Sequence, residues 1–307
     1  MSDRSEPQHD QPQHDQPQHD QPQDYAPGET IAVVGATGKQ GSATARELLA
    51  HGARVRALTR DIGSEAAQAL VREGAEVVAA DLDDLTSVRR AFDGASRVFG
   101  MATMAGVGPE GETRHGVAFA DAARDAGVGY LVYSSVGGAE RHTGIPHFES
   151  KRRIEEHIVA IGLPATFVRP VFFMENLLGT SVEGGEVVVR LPVPDGIPLQ
   201  MVAVRDVARV SAALLLHPDL VGGAVEIAGD ELTGSQIADV FGRQAGLPAR
   251  YEAIPTTGFD ADPKAMFDWF AGPSAYQADF EATRALDPQL LDLPAWLAQS
   301  GWQPRPQ

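Results

Sequence analysis

The sequence predicts an α/β fold: a doubly wound parallel sheet with a smaller C-terminal α+β substrate lobe. Three observations predict it. Gly35, Gly38 and Gly41 stand where an apolar run, Ile31-Ala32-Val33-Val34, gives way to a helix-like pattern from Ser42 to His51. Downstream, short apolar runs alternate with helix-period segments, the mark of parallel strands covered by helices on both faces. The 307 residues include no cysteine. That length suits one enzyme-sized body, and the missing thiols exclude disulfides, thiolate metal sites and thiol catalysis.

Residues 1–28 are set apart from this body. Pro7-Gln8-His9-Asp10-Gln11 repeats as Pro12 to Gln16 and Pro17 to Gln21, with no large apolar residue before Tyr25. Such a segment cannot form a core, and a disordered, solvated tail is expected. The folded body then runs as a cofactor-binding core over 29–170 and a smaller substrate or partner lobe over 171–307, some segments of which return to the core.

In order, strands are expected at Thr30–Val34, Arg54–Thr59, Glu76–Ala80, Arg97–Phe99, Tyr130–Ser134 and Ala165–Val168. Helices are expected near Gln40–His51, Ser64–Glu73, Leu85–Phe92, Glu112–Ala126 and Phe148–Ile161, where apolar residues recur at helical spacing. Beyond Arg169-Pro170 the pattern is less regular. Helices near Asp206–Leu215, Gly234–Gln244, Pro263–Phe270 and Pro294–Gln299 are expected to cover the cleft, with a capping box at Thr233-Gly234-Ser235-Gln236 and Asp206 as a helix-start residue.

The formal charge is -17, of which the first 24 residues hold six acids against Arg4. An acidic body without a Lys/Arg cluster lacks the electrostatic footprint of nucleic-acid binding. No apolar run approaches the length of a membrane span, and the N-terminus is not signal-like. A cytoplasmic protein with no direct nucleic-acid partner, no membrane association and no metal site is the expectation.

Between a strand and a helix, three glycines permit a tight bend, close approach of backbone to a pyrophosphate, and close helix–strand packing, while the helix N-terminus offers unpaired N–H groups. Gly35, Thr37, Gly38, Lys39, Gln40 and Gly41 are therefore candidate dinucleotide ligands. The end of the second strand distinguishes the two nicotinamide cofactors, because a basic residue there suits the 2′-phosphate of NADP and an acidic one the free ribose hydroxyl of NAD. Arg60 offers a planar fork for that phosphate and Lys39 a second charge. NADP(H) is expected over NAD(H), with Asp61 next door as the opposing observation.

The G-x-x-G-x-x-G spacing resembles the short-chain dehydrogenase/reductase superfamily, and with it a Rossmann-type fold. The resemblance implies that Asp81 and Leu82, closing the third strand, lie against the adenine; Asp81 as helix N-cap is the alternative. It also implies a Tyr four residues before a Lys on one helix, yet none of the five tyrosines stands so. His147-Phe148-Glu149-Ser150-Lys151 occupies that place, and positions i and i+4 share a helix face. Imidazole for phenol is not a neutral exchange, since their unperturbed pKa values lie near ~6.5 and ~10. Lys151 is the candidate ribose ligand, His147 the candidate acid/base group, and Ser135 at the strand end, with Ser134 as its neighbour, the candidate carbonyl-polarising hydroxyl.

Together with Thr59-Arg60, Val168-Arg169-Pro170 and Phe173-Met174-Glu175-Asn176-Leu177, these residues make the chain similar to NmrA-like members of the atypical branch, close to the NADPH-sensor type. The resemblance implies either an NADPH-dependent oxidoreductase acting on a small quinone- or enone-like acceptor, or a noncatalytic redox sensor that engages a regulatory protein partner. Met101, Phe172, Phe173 and Asn176 are candidate substrate-pocket residues.

Overall fold

β1 (Thr30–Val33) is buried along its whole length and runs into the glycine turn and α1 (Lys39–Ala50). The alternation continues with β2 (Arg54–Thr59), α2 (Glu65–Arg72), β3 (Glu76–Ala79), α3 (Leu85–Phe92), β4 (Ala95–Gly100), α4 (Gly108–Asp125), β5 (Tyr130–Ser134), α5 (Pro146–Ala160) and β6 (Ala165–Pro170). This computed structural model describes residues 24–272 and 275–305. α4 begins a turn earlier than expected because Pro109 is compatible with a first helical turn, where its missing N–H is no loss. α5 likewise starts at Pro146, which puts His147 in its first turn.

Beyond residue 170 come β7 (Phe172–Phe173), β8 (Ser181–Glu183), β9 (Glu186–Leu191), β10 (Leu199–Val202), α6 (Val204–Leu216), β11 (Gly223–Ile227), β12 (Asp230–Leu232), α7 (Gly234–Ala245), β13 (Ala249–Ala253), α8 (Ala261–Phe270), α9 (Phe280–Leu286) and α10 (Leu293–Gln299). The capping box at Thr233 and Gln236 opens α7. The main sheet has the order β11-β6-β5-β4-β1-β2-β3, every neighbouring pair parallel. Strand order reverses between β1 and β4, and at such a switch point the loops beyond the strand ends diverge and leave a crevice.

One expectation is corrected here. Four late helices were expected to cover the cleft, but α7, α8 and α10 contribute no residue to its lining and α6 contributes only Val204; Val207, Val210, Leu214 and Leu215 of α6 are buried with Ile31, Val33, Ala45 and Leu48 of β1 and α1. Fully burying one such side chain stabilises by about 1.5–3 kcal/mol, so α6 is a structural helix of the main layer. Asp206, in its first turn, is fully buried and accepts the Leu291 N–H at 3.1 Å, tying the C-terminal segment down. Burial pushes its carboxyl up to about 7. A second apolar cluster joins β7, β9 and β10 to α7, α8 and α10 through Phe172, Phe241, Phe270 and Trp296.

Of the expected tail, residues 1–23 and their repeats lie outside the described residues. Its last part is corrected: the Tyr25 N–H donates to Leu216 O at 2.8 Å, and the Arg97 guanidinium lies over the Tyr25 ring. The chain is thus attached to the main layer five residues before β1 starts.

Candidate functional site

The glycine turn is built by sterics that can be read atom by atom. Gly35 has φ +64, a left-handed conformation that a Cβ would disfavour. A Cβ on Gly41 would meet the Gly35 carbonyl oxygen at 2.3 Å, whereas one on Gly38 would stand 3.3 Å from the same atom. Gly41 therefore closes the helix onto the turn from behind, and Gly35 and Gly38 face outward. No side chain caps α1, so its first N–H groups are left for a ligand.

This turn forms one wall of a cleft of about 810 Å³ beyond the strand ends. Gly35, Thr37, Gly38, Lys39 and Gln40 line it, as does Arg60 after β2. Thr37 Oγ1 lies 3.3 Å from Thr59 Oγ1, which fastens the turn to the end of β2 and sets where Arg60 begins. Ser134 Oγ donates to Gln40 Oε1 at 2.6 Å, joining the same turn to β5.

Three aspartates also line the mouth, and each is engaged internally. Asp61 Oδ1 accepts the Gly63 N–H at 2.9 Å, Asp81 Oδ1 accepts the Asp83 N–H at 3.1 Å, and Asp83 Oδ1 is bonded to His115 Nε2 at 2.8 Å. By contrast, Lys39 and Arg60 have no ion-pair partner within 4 Å among the described residues. The helix-cap alternative for Asp81 falls to its neighbour: Asp84 caps α3 by accepting from Thr86 N and Ser87 N. Asp81 and Leu82 line the cleft.

At the other end Met101, Phe173 and Asn176 line the cleft with Thr103, Glu175 and Val204. Glu175 accepts the Val204 N–H with both oxygens, at 3.1 and 3.2 Å, capping α6, and takes the Trp296 indole N–H at 3.2 Å. Phe172, expected on this wall, is buried edge-on against Phe270 at 6.2 Å and belongs to the second core.

The expected acid/base group is not gathered on the cleft. Lys151 is buried, and its ammonium donates to Ala102 O at 2.6 Å and Ser134 O at 3.5 Å while pairing with Glu112 Oε1 at 3.2 Å. All three of its N–H donors have acceptors within the fold. Glu112 also accepts from Ser150 Oγ. His147 shares the helix but turns to α8, where the Asp262 carboxylate takes its ring Nδ1 and, at 3.1 Å, its backbone N–H. Ser135 Oγ is buried with no hydrogen-bond partner among the described residues. None of the three lines the cleft.

Sequence reasoning missed His115, Asp83, Glu175, Glu112 and Asp262. Glu175 stood inside a motif read only for Asn176. His115 and Asp262 meet their partners 32 and 115 residues away, and no local pattern marks such pairs.

Among the described residues no helix is long and apolar enough to cross a membrane. Fold and cleft together define a Rossmann-type α/β protein with its crevice at the switch point. The NmrA-like family model matches residues 27–290, and the chain belongs to that family. It is 30% identical to an NAD(P)H azoreductase of Xenophilus azovorans over 228 residues, 73% of this chain and 77% of the relative. Solved structures share the fold, among them the following two. NmrA, a negative transcriptional regulator, superposes with a TM-score of 0.77 at 21% identity, covering 89% of this chain and 95% of its own. An NADPH-dependent quinone oxidoreductase of Escherichia coli, complexed with NADPH, does so with 0.75 at 22%, covering 88% and 99%.

Proposed function

We propose that the chain binds NADP(H) in preference to NAD(H) and is an oxidoreductase acting on a small quinone- or enone-like acceptor. The carrying observation is the pair Lys39 and Arg60, two cations without ion-pair partners among the described residues, beside a glycine turn whose tightness depends on Gly41. A guanidinium fork and a nearby ammonium suit a 2′-phosphate, and the acid that argued against it, Asp61, is bonded to Gly63 N. The azoreductase and quinone oxidoreductase relatives support this reading.

When bound, NADPH supplies a hydride to the acceptor, and a proton from water completes the reduction. The chain's own part is to hold and orient the two reactants. The N–H groups of α1 and the glycine turn would take the pyrophosphate, Arg60 and Lys39 the 2′-phosphate, and Asp81 and Leu82 the adenine. Met101 and Phe173 form an apolar wall for a planar acceptor, and Asn176 gives it one polar contact. Lys151, with its donors engaged, has no proton-transfer role in this scheme.

A second reading, a noncatalytic NADP(H) sensor for a protein partner, is favoured by one observation: Lys151 and His147 are both committed to structural partners. Purified protein offered NADPH with quinones, enones and aldehydes separates the two. Turnover on a quinone or enone is expected. Tight binding without turnover on any of them contradicts the oxidoreductase and favours the sensor. Turnover abolished by His147→Phe with NADPH binding intact would return the imidazole to the reaction.

A further inference from the structure

Asp83 is the acid in this cleft that most needs explaining. It lies in the loop after β3, its side chain 67% exposed, and it lines the same cavity as Arg60 and Lys39. A carboxylate there opposes a 2′-phosphate in two ways: it repels the anion, and, where it is free to turn, it competes for the cation that should bind it. Arg60 already acts on it at longer range, as does Arg114. Yet no ion pair joins Asp83 to Arg60.

A histidine on the opposite wall engages it instead. His115 projects from α4 with only 12% of its side chain exposed, and its Nε2 lies 2.8 Å from Asp83 Oδ1. The bond crosses from the β3 loop to α4, and both residues line the cleft. The loop is shaped for it from the other side, since Asp81 Oδ1 holds the Asp83 backbone N–H and Ser87 Oγ donates to Asp81 O and Asp84 O. The His115 bond is also the leading cause that holds the Asp83 carboxyl below its usual range.

We propose that His115 is a specificity-determining residue: by taking the Asp83 carboxylate through a hydrogen bond across the cleft, it keeps Arg60 unpaired for a 2′-phosphate and so sets the preference for NADP(H) over NAD(H). The inference rests on the cofactor reading above and adds to it. Selectivity then depends on an acid and the histidine that holds it as well as on the cation that contacts the phosphate. The pair discriminates by controlling a repulsive element, which is how specificity is often built.

The test compares NADPH and NADH affinities, by quenching of protein fluorescence, in wild type, His115→Ala, Asp83→Asn and the double variant. His115→Ala releases the carboxylate and should weaken NADPH about three- to tenfold, the size expected of an exposed charge acting on a divalent phosphate, with NADH held within about twofold. Asp83→Asn, at an exposed position with little risk to folding, should raise the NADPH:NADH affinity ratio. The double variant should recover the ratio lost in His115→Ala, because the acid it unmasks is gone. Binding of 2′,5′-ADP should follow NADPH, and 5′-ADP should follow NADH.

Equal weakening of both cofactors by His115→Ala, or an unchanged ratio in Asp83→Asn, overturns the inference. A wild-type ratio near one contradicts the cofactor reading itself. A wild-type preference for NADPH that these variants leave untouched contradicts only the role of His115.

Discussion

Gly41→Ala probes the turn on which every other part of the site rests. The added Cβ would lie 2.3 Å from the Gly35 carbonyl oxygen, 2.7 Å from its carbon and 3.0 Å from Ala36 Cα, all backbone atoms. None of these can swing aside as a side-chain tip does. Relief requires α1 to move away from the turn, and α1 is packed on α6 through Ala45 and Leu48. Overpacking costs about 1–3 kcal/mol, and backbone neighbours place this case at the upper end. Alanine returns up to ~1 kcal/mol of helix propensity, leaving a net loss of about 2 kcal/mol. At about 2–4 °C per kcal/mol, the Tm should fall by about 4–8 °C in a thermal melt. NADPH affinity should fall by about tenfold or more, because a turn displaced by 1 Å no longer aims its N–H groups. Gly38→Ala is the stability control: its Cβ meets the same oxygen at 3.3 Å and should cost under about 1 kcal/mol. A Gly41→Ala protein that melts with wild type and binds NADPH equally well would refute the steric account of the turn.

Three further outcomes follow from the same geometry. Lys151→Ala leaves Glu112 buried without its cation and should destabilise by about 3–5 kcal/mol, read in urea denaturation, while Lys151→Met with Glu112→Leu should recover much of the loss. An equal loss in both would show that the charge pair is not the cause. Asp206 has a folded carboxyl pushed up to about 7 from 3.8, so the native state holds a proton that the unfolded chain has lost. Its contribution is fully present below about pH 4 and is lost as pH rises through about 7. Asp206→Asn should therefore gain Tm relative to wild type between pH 5 and pH 8, and parallel profiles would rule this out. Asp262→Ala removes the carboxylate that takes the His147 N–H at the start of α5, and should cost about 0.5–2 kcal/mol in a melt without altering NADPH affinity. A matched loss of NADPH binding would put that corner in the cofactor site.

What was legible in the sequence follows from where each signal resides. β1, the glycine turn and α1 could be read because the apolar run, the glycines and the helical period are all local, and the same holds through β6. The second half was harder. β8 and β9 form a hairpin closed by Gly184-Gly185, both at positive φ, and Val187-Val188-Val189 follows; this is a turn signal that could have been read. β7, β10 and β12 are short strands set by tertiary pairing, with no period long enough to see. α6 carried the expected apolar stripe, but a stripe does not say which layer it faces.

The site divides along the same line. Cleft residues fixed to strand ends, Arg60, Asp81 and Leu82, stand where the strand pattern put them. His147 and Lys151 do lie on one helix four residues apart, yet what their side chains meet was settled by Asp262 and Glu112, contributed by α8 and α4. Spacing along a helix sets a shared face; it does not set the partner across from it.

The most direct test of the central claim is an equilibrium titration of the purified protein with NADPH and NADH, repeated on Arg60→Ala. The account predicts saturable binding at one site, tighter for NADPH, with Arg60→Ala weakening NADPH far more than NADH. No binding of either cofactor, or equal loss for both in Arg60→Ala, would contradict it.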